Sequence, residues 1–420
     1  MNGHIELKEP ETIQLRQSIT SPGGPISPLS PGANHRISIS VADLPPVPKP
    51  SGQLTSETQQ PRWWLRVQAM WWRGCMRLGM RIHDWAPPPP PKPSFHQIIE
   101  THTIDGGRST PIDLAFYVPK DYEFRKRQGH RYPVVVNYHG GGFVLGSNID
   151  DRYWFRVVLQ ETPAIVVSVG YRRAPEHPFP TPVDDCVDTL LWLASNAYDL
   201  GIDPSKVALS GFSAGANFSF AVPLRLRYHT SSFHHRGRSI CGVDSELSRF
   251  DSTKRLLATS RDLNVVSIVA WYPLVDFATP RDDKRGISLK PEKTMPKFFT
   301  NLFDQSYLPG AAGINHSSPY VSPGRASDRM LRDGLPHNIQ LYICEYDMLL
   351  REGQAFASHL RQLGKNVTET LVKGQPHAWD KSPNPFRKQK EIDRFYSDAC
   401  ANLRQVFEDR GGPAPRGKTW

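Results

Sequence analysis

Two glycine-rich stretches in this chain have the residue types and spacing that acyl-transfer chemistry requires. Residues 139 to 143 read HGGGF, set between the apolar run PVVVNY (133 to 138) and a second hydrophobic stretch, VLG. Glycine weakens strands and helices by roughly 0.5–1 kcal/mol relative to alanine, so three in succession mark either a mobile surface tip or backbone that must approach something closely. The apolar flanks favour close approach. Further along, VALSGFSAGA (207 to 216) carries G-x-S-x-G from Gly211 to Gly215, between a strand pattern and the helical pattern of ANFSFAVPLRL. In that context the serine sits on a strained tight turn, glycines on either side avoid clashes, and the hydroxyl projects above a sheet. Ser213 is therefore the candidate nucleophile. A serine attacking a carbonyl builds negative charge on the carbonyl oxygen, and preorganised backbone N–H groups stabilise that charge by about 3 kcal/mol per donor. Gly140, Gly141 and Gly142 offer backbone with no side chain in the way. Gly141 and Gly142 are the expected donors, with the N–H of Ala214 as a third. His139 reads as a brace for the loop.

A serine so placed needs an acid and a base later in the chain, in the order Ser, Asp or Glu, His, on loops that leave C-terminal strands. After IQLYIC comes Glu345-Tyr346-Asp347-Met348, and after VTETLV comes Lys373-Gly374-Gln375-Pro376-His377. An imidazole can take the serine proton at neutral pH, and a buried carboxylate fixes its tautomer and stabilises the imidazolium. Asp347 is the candidate acid and His377 the candidate base, with Glu345 the alternative carboxylate. A single loop Asp or His is more often solvated than catalytic. Here the ordered set carries the reading. Asp276, in WYPLVDF, reads as structural.

These residues need a scaffold, and the pattern around them supplies one. Short β-branched runs, PVVVNY, AIVVSVG (164 to 170), VALS (207 to 210), VVSIVAWY (265 to 272), IQLYIC (339 to 344) and VTETLV (367 to 372), alternate with helix-length stretches. Continuous apolar strands separated by helices indicate a largely parallel sheet covered on both faces. HQIIETHTI and TPIDLAFYV around DGGR read as a hairpin before it. Of the 420 residues 38% are apolar, with the shortfall concentrated at the ends. The expected organisation is a Ser/Pro-rich disordered tail over 1–60, a Trp/Arg helix and polyproline spacer over 61–92, the α/β domain over 93–410 and a flexible tail over 411–420. Residues 228–262 read as a polar surface insertion, with His229, His234 and His235 solvated.

The formal charge of +10 would fit nucleic acid or an anionic membrane, but no zinc-finger, homeodomain or RNA-binding pattern accompanies it, and no nucleic-acid partner is expected. Five scattered cysteines, Cys75, Cys186, Cys241, Cys344 and Cys400, form no C-x-x-C pair, so no disulfide framework, metal or cofactor is expected. The start lacks a signal-peptide core, and there is no long apolar span. A cytoplasmic location is expected.

HGGGF, the block YRRAPEHPFPTPVDDC (171 to 186), GFSAGANF, CEYDMLLREG and GQPHAW resemble, in order and spacing, the hormone-sensitive-lipase family of α/β-hydrolases, which includes arylacetamide deacetylase and many fungal and microbial esterases. The fungal members look most similar. The resemblance covers about 130 to 405. It implies an α/β-hydrolase fold with an eight-stranded mixed sheet and a helical cap, Ser213 as nucleophile, Asp347 as acid, His377 as base, and Glu176 and Asp185 as supports. It also implies hydrolysis of carboxylic esters of a small to medium lipophilic molecule. The physiological ester is left open among detoxification, neutral-lipid hydrolysis, deacetylation and secondary metabolism. A ligand-binding protein on the same fold is the alternative, against which the presence of His377 argues. Three positions depart from the family pattern. Phe212 stands where an acidic residue is usual, Ala216 where a glycine is usual, and Arg351 where a second aspartate is common. Phe212 and Phe143, both beside the candidate machinery, are expected to touch substrate.

Residues 61 to 85 carry the last pattern. At 100° per residue, Arg62, Arg66, Arg73 and Arg77 fall within about 60°, opposite Trp64, Val67, Trp71, Cys75, Leu78 and Ile82. Such a helix could lay its apolar face over the substrate pocket as part of a cap, or lie in a membrane interface. Gly74 and Gly79 argue against one unbroken helix.

Overall fold

The computed structural model describes residues 59–101, 110–236, 263–381 and 383–408, with backbone only at 228–236 and 311. The expected tails, the DGGR turn and most of the polar stretch after 228 lie outside the described residues. In chain order the elements are α1 (Arg62–His83), β1 (Phe95–Glu100), β2 (Pro111–Tyr117), α2 (Tyr122–Arg127), β3 (Tyr132–Tyr138), α3 (Arg152–Glu161), β4 (Ile165–Gly170), α4 (Thr181–Ser195), β5 (Ile202–Phe212) and α5 (Ala214–Arg236). Then follow β6 (Val265–Trp271), α6 (Arg281–Gly286), α7 (Lys297–Tyr307), α8 (Asp328–Gly334), β7 (Asn338–Cys344), α9 (Leu350–Gln362), β8 (Asn366–Val372) and α10 (Gln389–Glu408).

The eight strands form one sheet in the order β1-β2-β4-β3-β5-β6-β7-β8. β1 and β2 pair antiparallel, as do β2 and β4, and every other pairing is parallel. Side chains alternate across a strand, and here both faces are apolar. Val134, Val136 and Tyr138 of β3 join one core with Leu209, Ile268 and Leu341, covered by α4, α5 and α9. Val135 joins the other with Val166, Ala208, Val269 and Tyr342, covered by α3 and α10. A fully buried Val or Leu contributes roughly 1.5–3 kcal/mol relative to exposure. Two-sided burial is therefore what makes these runs continuous in sequence. The parallel strands all point their C-terminal ends to one edge, where ligands bind in open α/β sheets.

α1 is one continuous helix through Gly74 and Gly79, and it belongs to the same compact unit as the sheet. The face that packs is not the one the helical wheel favoured. Leu65 and Ala69 are buried in the core, with Trp72 and Met76 packed beside them, while Trp64, Val67, Trp71 and Leu78 face solvent. Specific partners outweigh bulk hydrophobicity here. Trp72 stacks at 5.4 Å on Phe298 and lies 4.7 Å from Phe299, both of α7. Arg73, placed by the wheel on the basic face, turns inward to donate to the carbonyls of Val144 and Ala174, each at 2.8 Å, and bidentately to Glu176 at 2.8 and 3.0 Å.

Candidate active site

Ser213 sits where β5 passes into α5, with a left-handed φ of 54°. A non-glycine residue in that region is strained, and the surroundings hold it there. Its N–H donates to the carbonyl of Trp271 at 2.9 Å, and its carbonyl accepts from Asn217 N–H at 3.1 Å. The glycines of the motif are explained by contact. A Cβ on Gly215 would lie 1.9 Å from the Tyr138 carbonyl oxygen, so only glycine lets the start of α5 approach β3 this closely. Asn217, the first residue of a glycosylation sequon, is fully buried and donates to the carbonyls of Leu274 and Val321 at 2.9 Å each. It braces the elbow from within.

Asp347 and His377 leave the ends of β7 and β8 and meet Ser213 at the same sheet edge. His377 Nε2 lies 2.8 Å from Ser213 Oγ, and Nδ1 lies 2.5 Å from Asp347 Oδ2. Asp347 is buried, and its Oδ1 accepts from Leu349 N–H at 3.1 Å. Glu345 does not reach the imidazole. It accepts from Gly374 N–H at 2.6 Å, and the two loops are further joined by Glu345 N–H to the Val372 carbonyl and Tyr346 N–H to the Gln375 carbonyl. The carboxylate that competed for the acid position thus holds the His377 loop against the Asp347 loop.

HGGGF curls beside the serine. Gly141, Gly142 and Phe143 all have positive φ, at 111°, 61° and 66°, and the Gly141 carbonyl accepts from Val144 and Leu145 N–H. Among the described residues the N–H groups of Gly141, Gly142 and Ala214 donate to no backbone carbonyl. Gly142 and Ala214 line the pocket in front of Ser213. His139 is buried under the loop, where it donates from Nδ1 to the Gly140 carbonyl at 2.8 Å and stacks on Tyr171 at 4.1 Å. Burial holds its imidazole down to about 3, so it is a neutral brace.

The pocket encloses about 380 Å³, part of it open to solvent. Beyond Ser213, Asp347 and His377 its walls are Leu274, Met295, Phe303, Met348 and Leu349, with Thr300 and Arg281 as polar groups. Arg281 is tied to Asp304 by two hydrogen bonds of 2.8 and 2.9 Å. Phe143 and Phe212, expected as substrate contacts, are not among the lining residues. Phe143 is buried against Tyr307, its ring stacked at 3.8 Å. Phe212 points to the opposite core, stacked on Trp271 at 5.6 Å. Residues next to a nucleophile on an extended strand alternate faces, which sends the Phe212 ring beneath the sheet edge.

Beneath the elbow lies a buried polar cluster that the sequence did not flag. Lys381 pairs with Asp151 at 2.9 Å and Asp380 at 3.4 Å. Asp380 accepts from Tyr272 at 2.6 Å and Tyr396 at 2.5 Å, and Asp151 accepts from Asn137 at 2.8 Å. Burial alone would push the Lys381 ammonium down, but the two aspartates outweigh it and hold its pKa above the usual value. The Tyr272 ring packs edge-on to His377 at 4.8 Å. Elsewhere Asp185 pairs with Arg172 and Asp276 with Arg325, so both serve as supports.

Comparison with known proteins agrees with this architecture. A family described as alpha/beta hydrolase fold matches residues 135–381. The carboxylesterase NlhH of Mycobacterium tuberculosis is 40% identical over 291 residues, 68% of this chain and 76% of that protein. Lipase 2 of a Moraxella species is 30% identical over 264 residues, 62% of this chain, which spans only 57% of that relative's length. Among solved structures, an esterase from Pyrobaculum calidifontis superposes with a TM-score of 0.60 at 26% identity, covering 82% of this chain and 94% of that one.

Proposed function

Since this chain belongs to the α/β-hydrolase family, within the hormone-sensitive-lipase group that its motifs resemble, we propose that it hydrolyses carboxylic esters through an acyl-enzyme on Ser213. The reading rests on one relationship above all, the hydrogen-bonded chain from Ser213 Oγ through His377 to Asp347 at the floor of an apolar pocket. His377 Nε2 takes the proton of Ser213 as Oγ attacks the ester carbonyl, and Asp347 holds the Nδ1 proton and stabilises the imidazolium. The N–H groups of Gly141, Gly142 and Ala214 receive the negative charge on the carbonyl oxygen. The C–O bond then breaks, the alcohol leaves with the proton from His377, and the acyl group stays on Ser213. Water, deprotonated by His377, attacks the acyl-enzyme to release the acid and restore the serine.

The pocket walls set the expected substrate. Leu274, Met295, Phe303, Met348 and Leu349 suit a short to medium, lipophilic acyl group. Turnover of p-nitrophenyl esters of increasing chain length, with fluorophosphonate labelling of wild type and Ser213→Ala, tests the proposal. Labelling confined to wild type and loss of turnover by about four to six orders of magnitude in Ser213→Ala are expected. Equal labelling of both proteins would move the nucleophile elsewhere.

A further inference from the structure

We propose that the outward face of α1 docks this protein onto an anionic lipid bilayer, a surface separate from the catalytic pocket and independent of the reading above. The helix is fixed to the body on its inner side by Leu65, Ala69 and Trp72 and by Arg73 on Glu176. Arg62 adds a bond to the Pro175 carbonyl, and Asp84, just past the helix end, pairs with Arg152. What remains outside is unusually apolar. Trp71 is 68% exposed, Trp63 65% and Leu78 62%, with Met70 and Val67 between them. Trp85, beyond the helix end, is exposed as well. At 3.6 residues per turn, Trp63, Val67, Trp71 and Leu78 lie within about 80° of arc. Arg66, Arg77 and Arg81 fill about 60° alongside them.

The chemistry of that face selects its partner. α1 contains no acidic residue, and Arg66, Arg77 and Arg81 make no ion pair among the described residues. A second copy applied through the same patch would set arginines against arginines, since a two-fold contact pairs a surface with itself. Phosphate headgroups present the complementary charge, and tryptophan favours the headgroup level, where one part of the ring is apolar and its N–H is wet. A helix with this division of residues lies in the plane of the interface. No helix among the described residues is long and apolar enough to cross a membrane, in keeping with a helix that lies on the surface. The contact also sits close to the pocket. Trp72 packs on Phe298 and Phe299 of α7, and α7 supplies Thr300 and Phe303 to the pocket wall.

Co-sedimentation of the full chain with phosphatidylglycerol-containing vesicles, compared with pure phosphatidylcholine vesicles, tests this. Binding to the anionic vesicles that weakens with salt is expected. About a tenfold or greater loss of affinity should follow in Arg66→Glu/Arg77→Glu/Arg81→Glu and in Trp63→Ser/Trp71→Ser/Leu78→Ser. Hydrolysis of a soluble short-chain p-nitrophenyl ester should be unchanged in both, which separates this outcome from failure of the catalytic reading. Should the serine variant not fold, quenching of wild-type tryptophan fluorescence by brominated anionic lipids reads the same contact. Absence of vesicle binding, equal binding to both vesicle types, or self-association that the serine substitutions abolish without any vesicle binding would each overturn the proposal.

Discussion

The ammonium of Lys381 lies 3.8 Å from the centroid of the Phe212 ring, immediately behind the residue that the turn exposes as Ser213. The cation finds its carboxylates on Asp151 and Asp380 and uses the ring as its third side. Lys381→Met should destabilise the fold by about 3–5 kcal/mol, because two buried carboxylates lose their counter-charge. Adding Asp151→Asn should recover part of that loss. Urea denaturation of the three proteins measures it, and a single variant as stable as wild type would show the cluster to be hydrated rather than paired.

The division of labour between the two carboxylates after β7 is open to direct measurement. Asp347→Asn should reduce turnover by roughly ten thousandfold, since the imidazole would lose both its orientation and its counter-charge. Glu345→Gln removes a charge from the Gly374 N–H contact without touching His377, and should cost no more than about tenfold. Steady-state kinetics of the pair decides the assignment, and a reversed order of effects would refute it.

Gly142 meets Phe303 face to face. A Cβ on Gly142 would lie 2.2 Å from the phenyl ring, so Gly142→Ala must displace Phe303 or the loop. Turnover should fall about a hundredfold or more. Because the obstruction is a side chain rather than backbone, Gly142→Ala/Phe303→Ala should recover part of the loss. Phe303→Ala alone should shift the preference among p-nitrophenyl esters toward longer acyl chains, which chain-length profiles of the three variants would reveal.

Asp276 offers a pH signature. Burial works to raise its carboxyl, but the Arg325 guanidinium, Lys284 and the Thr279 hydroxyl outweigh it and hold the value at about 2. Its folded value lies below the usual carboxylate range, so the folded state is stabilised above that range and loses the contribution as pH falls through the folded value. The contribution should be about 2 kcal/mol, complete near pH 5 and mostly lost by about pH 2. Asp276→Asn should narrow the gap between urea midpoints measured at about pH 5 and about pH 3. An unchanged gap would place the titrating group elsewhere.

Two of the candidate catalytic residues, Ser213 and Asp347, could be read because each follows a strand that ends in a continuous buried apolar run, whereas His377 follows the half-buried edge strand β8, NVTETLV. Ser213, Asp347 and His377 are marked by the strands before them as much as by their own identities. The pocket wall has no such marker. Leu274, Met295 and Phe303 come from the irregular stretch between β6 and β7, and their convergence depends on how α7 settles over HGGGF. Phe143 and Phe212 were misplaced for a related reason, since nearness in sequence to the nucleophile says nothing about which face of the sheet a ring takes. The Lys381 cluster joins residues more than two hundred positions apart through packing alone. On α1 the wheel grouped Trp64, Val67, Trp71 and Leu78 on one face, but gave no sign that Trp72 and Arg73 would find their partners on the body while that face stays at the solvent.

The parallel pairing of β5 with β6 divides the candidate machinery between two lengths of chain. The nucleophile and its N–H donors belong to residues before 237, whereas Asp347 and His377 belong to residues after 262. Neither length carries a complete reacting set, and the two meet along the β5–β6 seam of backbone hydrogen bonds and through packing elsewhere, such as α1 on α7. Ester turnover would then serve as a reporter of reassembly. Two separately produced polypeptides ending and beginning within 237–262 should be silent apart and regain activity, with second-order kinetics, only as they complement one another on mixing.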